Sequence, residues 1–165
     1  PLNGVRIARK IGMTSYRSAN EWVQRFGRKK SVENKINQNT FGIENTSFEF
    51  EIESYLEHQA VKFQNIFDAN CYLYLSRAMD WFDVANLGKS SLEAFSKINV
   101  NKALVLGVDT DVLFPPQQQK EIAENLSLSN VKVEYKELNC IQGHDSFLAD
   151  TGIFAKEISS FIKNL

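Results

Sequence analysis

The chain has 165 residues, 43% of them hydrophobic, and a net charge of −1. That length suits one domain of about 100–200 residues, and a charge so near zero excludes the strong field that gathers nucleic acid or an anionic membrane. No apolar stretch approaches the roughly 18 residues a membrane span needs, and no signal peptide is visible at the N-terminus, so a cytoplasmic setting is expected. Two cysteines, Cys71 and Cys140, stand far apart without metal spacing, so free thiols in a reducing compartment are expected and a zinc site is not. Because the chain begins with Pro1 rather than Met, it is expected to be a processed product or a piece of a longer protein.

In chain order, Asn3 to Gly12 reads as a short helix with Val5, Ile7, Ala8 and Ile11 as its apolar positions. Ser18 and Glu21 fit a capping box that opens a helix carrying Trp22, Val23 and Phe26. The basic run Arg25 to Lys30 contains Gly27 and leads into a polar stretch, so it reads as a solvated loop continuing to Asn45. Thr46 and Glu49 suggest a second capping box. Beyond it, Phe48, Ile52, Tyr55, Leu56, Phe63, Ile66 and Phe67 mark one face of a long amphipathic helix. Asp68 caps a helix from Ala69 to about Asp83, apolar around so much of its girth that burial on more than one side is expected. Ser90 caps a last short helix, Ser91 to Ile98.

The texture then changes. Lys102 to Gly107 is a continuous apolar run ending at a glycine, as in a strand covered on both faces of a parallel sheet. Pro115 and Pro116 open a helix through Leu126. Val131, Val133 and Tyr135 make a second strand, and a final helix from Asp150 to Leu165 turns Ile153, Phe154, Ile158, Phe161 and Ile162 inward. This βαβα unit implies parallel strands with a right-handed crossover. Two strands do not make a stable parallel sheet, so its other strands are expected in an N-terminal half or a partner chain.

In open α/β sheets ligands bind beyond the carboxyl ends of the strands. Asp111 follows the first strand and His144 the second, so parallel strands bring a carboxylate and an imidazole to one edge. There the carboxylate can fix the imidazole tautomer, as in a Ser-His-Asp site, and the chain order acid then histidine is that of α/β-hydrolases. Taken singly, Asp109 and Asp111 read rather as loop residues capping the helix behind Pro115, and His144 as a satisfied loop histidine. Their pairing at matched strand ends favours chemistry.

Many short motifs recur in one order: Ala8-Arg9-Lys10-Ile11-Gly12-Met13, Tyr16-Arg17-Ser18, Arg25-Phe26-Gly27-Arg28, Phe50 to Leu56, Phe67 to Leu75, Arg77-Ala78-Met79-Asp80, Gly107 to Asp111 with Leu113-Phe114-Pro115, and Gly143 to Leu148. By these the chain resembles the C-terminal half of the homoserine O-acetyltransferase family, acyltransferases of the α/β-hydrolase fold, along nearly its whole length. The resemblance implies a helical lid over residues 1–98 and the C-terminal βαβα part of the core over 99–165, with the nucleophile-bearing N-terminal half absent. It implies that Asp111 is the triad acid, His144 the general base, Arg9 the holder of the substrate carboxylate and Asp145 the receiver of its amine. Read from residues alone, Arg9 is equally a solvated helix residue and Asp145 a helix cap; Tyr16 and Arg17 either line the tunnel or serve structure.

The implied activity moves an acetyl group from acetyl-CoA to the hydroxyl of L-homoserine by a ping-pong mechanism, as a step toward methionine. No resident cofactor is expected, acetyl-CoA being a co-substrate. The expected partners are those two substrates, the N-terminal half of the same enzyme and a second copy meeting it through the lid helices, with neither nucleic acid nor membrane among them. Departures from the family pattern widen the choice. No Gly-x-Ser-x-Gly occurs, so the serine and one oxyanion N–H are missing and the chain alone is expected to be inactive. Met13-Thr14-Ser15 replaces the usual apolar-then-threonine step, His58-Gln59-Ala60 stands where Tyr-Gln-Gly is usual, and Lys29 to Asn45 reads as an insertion. A serine O-acyltransferase, a succinyl-CoA-using homologue and an esterase of the same fold are the alternatives, and a non-catalytic interaction module is the reading without chemistry.

Overall fold

The computed structural model describes residues 1–31 and 49–165. Its elements run α1 (Leu2–Ser15), α2 (Ala19–Arg25), α3 (Glu51–Gln64), α4 (Ala69–Trp81), a 3-10 turn (Val84–Leu87), α5 (Ser91–Ser96), β1 (Lys102–Val108), α6 (Pro116–Leu128), β2 (Lys132–Leu138), a second 3-10 turn (Gly143–Asp145), α7 (Ser146–Ala149) and α8 (Thr151–Lys163). They form two compact units, one of Pro1–Thr14 with Ala19–Arg77, the other of Ser15–Ser18 with Ala78–Leu165.

The first unit is helical. Among the described residues, Val5, Met13, Phe26 and Ala60 are its buried apolar side chains. Trp22, Phe26 and Tyr55 cluster with ring centroids 5.1–6.2 Å apart, and the Arg25 guanidinium covers Tyr55 at 4.5 Å, a cation–π contact. Glu57 of α3 pairs with Arg6 and Lys10 of α1, one helical turn apart on a single face. The Thr46 cap and most of the Lys29–Asn45 stretch fall outside the described residues. The flanks of that stretch meet: Ser31 N–H donates to Glu49 O at 2.9 Å and Glu51 N–H to Lys29 O at 3.0 Å. α3 therefore opens at Glu51, three residues after the expected Phe48, and the Glu53 carboxylate accepts from the N–H groups of Glu49 and Phe50. His58 is exposed on this helix.

α4 corrects an expectation. Asp68 caps it as predicted, its Oδ1 accepting from the N–H groups of Asn70 and Cys71 at 2.9 and 3.1 Å, yet no residue of the helix is buried. Tyr72 meets Phe63 and Phe67 edge-on, while Leu73, Tyr74, Met79 and Trp81 keep 66–78% of their surface exposed. A helix apolar around its girth needs neighbours on several sides, and the described residues do not bury it.

The second unit is the βαβα arrangement. β1 and β2 pair in parallel from Lys102↔Lys132 to Val108↔Leu138, and Asp109 N–H extends the ladder to Leu138 O at 3.1 Å. Val108, Leu138 and Cys140 make a buried cluster against which Leu106, Ile153 and Phe154 pack; each such aliphatic side chain stabilises the fold by about 1.5–3 kcal/mol when fully buried. Burial raises the Cys140 thiol above the usual range, with Asp150 and Asp109 adding to it. α8 turns Ile153, Phe154 and Phe161 inward as expected, whereas Ile158 and Ile162 are exposed. β1 is half-buried along Lys102 to Leu106 rather than covered throughout, because β2 is its one paired neighbour among the described residues. Among those residues no helix is long and apolar enough to cross a membrane.

Candidate active site

β1 and β2 end side by side, and the loops that leave them carry the candidate residues. After β1 the chain turns sharply: Asp111 N–H donates to Val108 O at 3.1 Å, and Asp111 Oδ1 accepts from the N–H groups of Leu113 and Phe114, both at 2.9 Å. Two amide donors on one oxygen fix the carboxylate plane and leave Oδ2 for another partner. That partner is His144, whose Nδ1 lies 3.0 Å from Asp111 Oδ2. The Asp111 side chain is 10% exposed and the His144 side chain 23%, so the pair is shielded while the ring keeps an open side. An ionised carboxylate only accepts, so Nδ1 carries the hydrogen and Nε2 is left as a proton acceptor.

The second loop is held as firmly. Thr110 Oγ1 donates to Cys140 O and accepts from Gly143 N–H at 3.2 Å. Asp109 accepts from Cys140 N–H at 3.1 Å and from the Asn139 amide at 2.9 Å. The fully buried Ser146 closes the turn, its hydroxyl donating to Gly143 O at 2.6 Å. Gly143 takes φ +67°, and a Cβ there would lie 2.9 Å from Ser18 N and 3.0 Å from Tyr16 O. The glycine thus lets the Tyr16–Ser18 backbone press directly against the turn that bears His144. Phe114, Phe147 and Tyr16 surround the imidazole, with centroids 5.0, 6.3 and 5.9 Å away. A cavity of about 170 Å³ opens beside it, bounded by Asp111, Phe114, His144 and Phe147 together with Leu106 and Phe154.

The second unit thus brings together three of the four residues singled out in the sequence: Asp111, His144 and Asp145. Asp145 follows His144 directly and stands at the N-terminus of α7, but its carboxylate makes no cap bond; Oδ2 meets Arg17 Nε at 3.1 Å instead. Arg9 belongs to α1 in the other unit, where its guanidinium stacks over Phe63 at 4.9 Å. α2 starts at Ala19, as a cap at Ser18 requires, and the Ser18 hydroxyl donates to Ile141 O. A bond to a strand loop 123 residues away has no signal in local sequence. Among the described residues no group of three or more His, Cys, Asp or Glu can hold a metal ion.

No family model matches the chain. It is 48% identical over 163 residues to a serine O-succinyltransferase of Litchfieldella anticariensis, covering 98% of this chain and 43% of that protein. Serine O-succinyltransferases of Xylella fastidiosa and Stenotrophomonas maltophilia are 45% and 44% identical over 166 residues, covering all of this chain and 44% of each relative. The chain therefore spans less than half the length of the curated relatives it matches. Among solved structures, a homoserine O-acetyltransferase from Bacillus anthracis superposes with a TM-score of 0.78 at 21% identity, over 98% of this chain and 41% of that one. An esterase superposes at 0.75 with 23% identity, over 98% and 42%. The chain carries the C-terminal part of an α/β-hydrolase fold, preceded in sequence by helices, and its relatives in sequence are acyltransferases.

Proposed function

We propose that these residues form the C-terminal part of an acyltransferase that moves a short acyl group from a coenzyme A thioester to the hydroxyl of an amino acid. The reading rests on one observation, the Asp111–His144 pair at 3.0 Å, its carboxylate fixed by two backbone amides at the end of β1. Such a pair is an acid and a base in want of a nucleophile. A serine from a segment outside this sequence supplies it.

In the first half-reaction His144 Nε2 takes the proton of that serine while its oxygen attacks the thioester carbonyl. The C–S bond breaks, the proton passes to the departing sulfur, and an acyl-serine ester remains. In the second, His144 takes the proton of the acceptor hydroxyl, whose oxygen attacks the ester. The C–O bond to the serine breaks, and the proton returns to the serine. An aspartate suits the ammonium of an amino acid, the role proposed for Asp145, and a fixed acceptor has its hydroxyl aimed at the acyl carbon; an arginine fork suits a carboxylate, the role the resemblance implies for Arg9.

The family resemblance implies homoserine and an acetyl donor. The names of relatives at 44–48% identity support the alternative of serine as acceptor and succinyl-CoA as donor, and we adopt it. The test uses the full-length enzyme with acetyl-CoA or succinyl-CoA offered against L-serine or L-homoserine. The pair succinyl-CoA and serine should lead in kcat/KM by at least about tenfold, within the reach of a pocket that distinguishes a carboxylate or a methylene. A lead for acetyl-CoA with homoserine would return the assignment to the first reading. Release of the acyl group to water faster than to any amino-acid hydroxyl would make the protein an esterase.

A further inference from the structure

The geometry points to Arg17 as a positioning residue that sets the acceptor's amine subsite by fixing the carboxylate of Asp145. This deepens the proposed function and rests on it, since Asp145 has the amine there. Asp145 lies on a short 3-10 turn, next to the base, and receives no orientation from a helix cap. Its position is set from the Tyr16–Ser18 segment instead. Asp145 N–H donates to Tyr16 O at 3.3 Å, and Arg17 Nε lies 3.1 Å from Asp145 Oδ2. The two side chains are 18% and 20% exposed, a setting in which an ion pair is screened less than at an open surface. The same segment abuts Gly143, with no room for a Cβ between them, and Ser18 ties it to Ile141.

The consequence is a division of labour within one carboxylate. Arg17 holds Oδ2, so an incoming ammonium meets Oδ1, and the acceptor's amine is aimed from a group whose rotamer is already chosen. A guanidinium is planar, permanently charged and rigid in its donor directions, so it fixes a plane where a lysine supplies only a charge. Without Arg17 the Asp145 carboxylate is free to turn, and it is left partly buried without its cation. Acceptor binding then suffers while the acylation half-reaction, which uses Asp111 and His144, does not.

The experiment compares Arg17→Met and Arg17→Lys with the parent in the full-length enzyme. Acylation is read as acceptor-independent release of coenzyme A, and transfer as the dependence of rate on amino acid. The Met variant should raise the acceptor KM by about tenfold or more while acylation stays within about twofold, and Lys should recover part of the loss. With a hydroxy-acid acceptor that lacks the amine, variant and parent should react alike, a result a purely structural role would not produce. An unchanged acceptor KM, or equal losses in both half-reactions, overturns the assignment. If the Met variant does not fold, the Lys variant decides: a parental KM for the amino acid refutes a planar clamp. Absence of coenzyme A release from the parent itself would instead sink the acyltransferase reading, so the two failures are distinguishable.

Discussion

Replacing Asp111 with Asn in the full-length enzyme should lower acyl transfer by about 10³–10⁴-fold, close to the loss from His144→Ala, with the fold intact. The reason lies in the two amides on Oδ1. Leu113 and Phe114 donate to that oxygen, and an asparagine in the same rotamer keeps these bonds only by presenting its carbonyl oxygen to them. Its NH₂ then faces His144 Nδ1, where Oδ2 stood at 3.0 Å. An amide donor there forces Nδ1 to accept, the ring hydrogen moves to Nε2, and the base no longer has a lone pair to offer a serine. The double variant should be no worse than either single one, because the pair acts as a unit. Steady-state release of coenzyme A with acceptor present checks it, and an Asn variant retaining activity within about tenfold of the parent would contradict the assigned roles.

The second large effect is structural. Gly143→Ala should cost about 2–5 kcal/mol of stability, the sum of a left-handed backbone imposed on an L-residue and overpacking against main chain. The added Cβ would meet Ser18 N at 2.9 Å, Tyr16 O at 3.0 Å and Arg17 C at 3.1 Å, all backbone atoms that do not swing aside like a flexible side chain. Relief requires the Tyr16–Ser18 segment to back away from the 3-10 turn, which also parts Arg17 from Asp145. Gly152→Ala is the control. It sits in α8 with no atom closer than 4.0 Å to the new Cβ, so it should be neutral or slightly stabilising. Chemical denaturation of both variants separates the cases, and equal midpoints would show that Gly143 is not under this constraint.

The parts of the fold that were legible in sequence are those whose signals are local. The apolar run ended by Gly107, the prolines at 115 and 116, and the Asp68 and Ser90 caps mark β1, α6, α4 and α5 because each acts through its own neighbours. The Asp111–His144 juxtaposition was legible for a different reason: parallel pairing carries both loops to one edge. What escaped is long-range. The Ser18 hydroxyl donates to Ile141 O, 123 positions later, and Arg17 pairs with a carboxylate 128 positions later. Asp145 reads in sequence as a cap, yet its carboxylate goes to that arginine. The exposed girth of α4 shows the converse: apolar periodicity tells which faces seek cover, not which neighbours supply it.

In the proposed site Asp111 holds His144 with Nδ1 protonated and Nε2 ready to accept a proton. Nitrogen-15 NMR of histidine-labelled protein reads this directly. The expected result for His144 is a protonated Nδ1 bonded to a carboxylate and a bare, pyridine-like Nε2 at a pH where the ring is neutral, with the tautomer reversed in Asp111→Asn. A neutral ring carrying its hydrogen on Nε2 in the parent, or a tautomer indifferent to the Asn substitution, would contradict it.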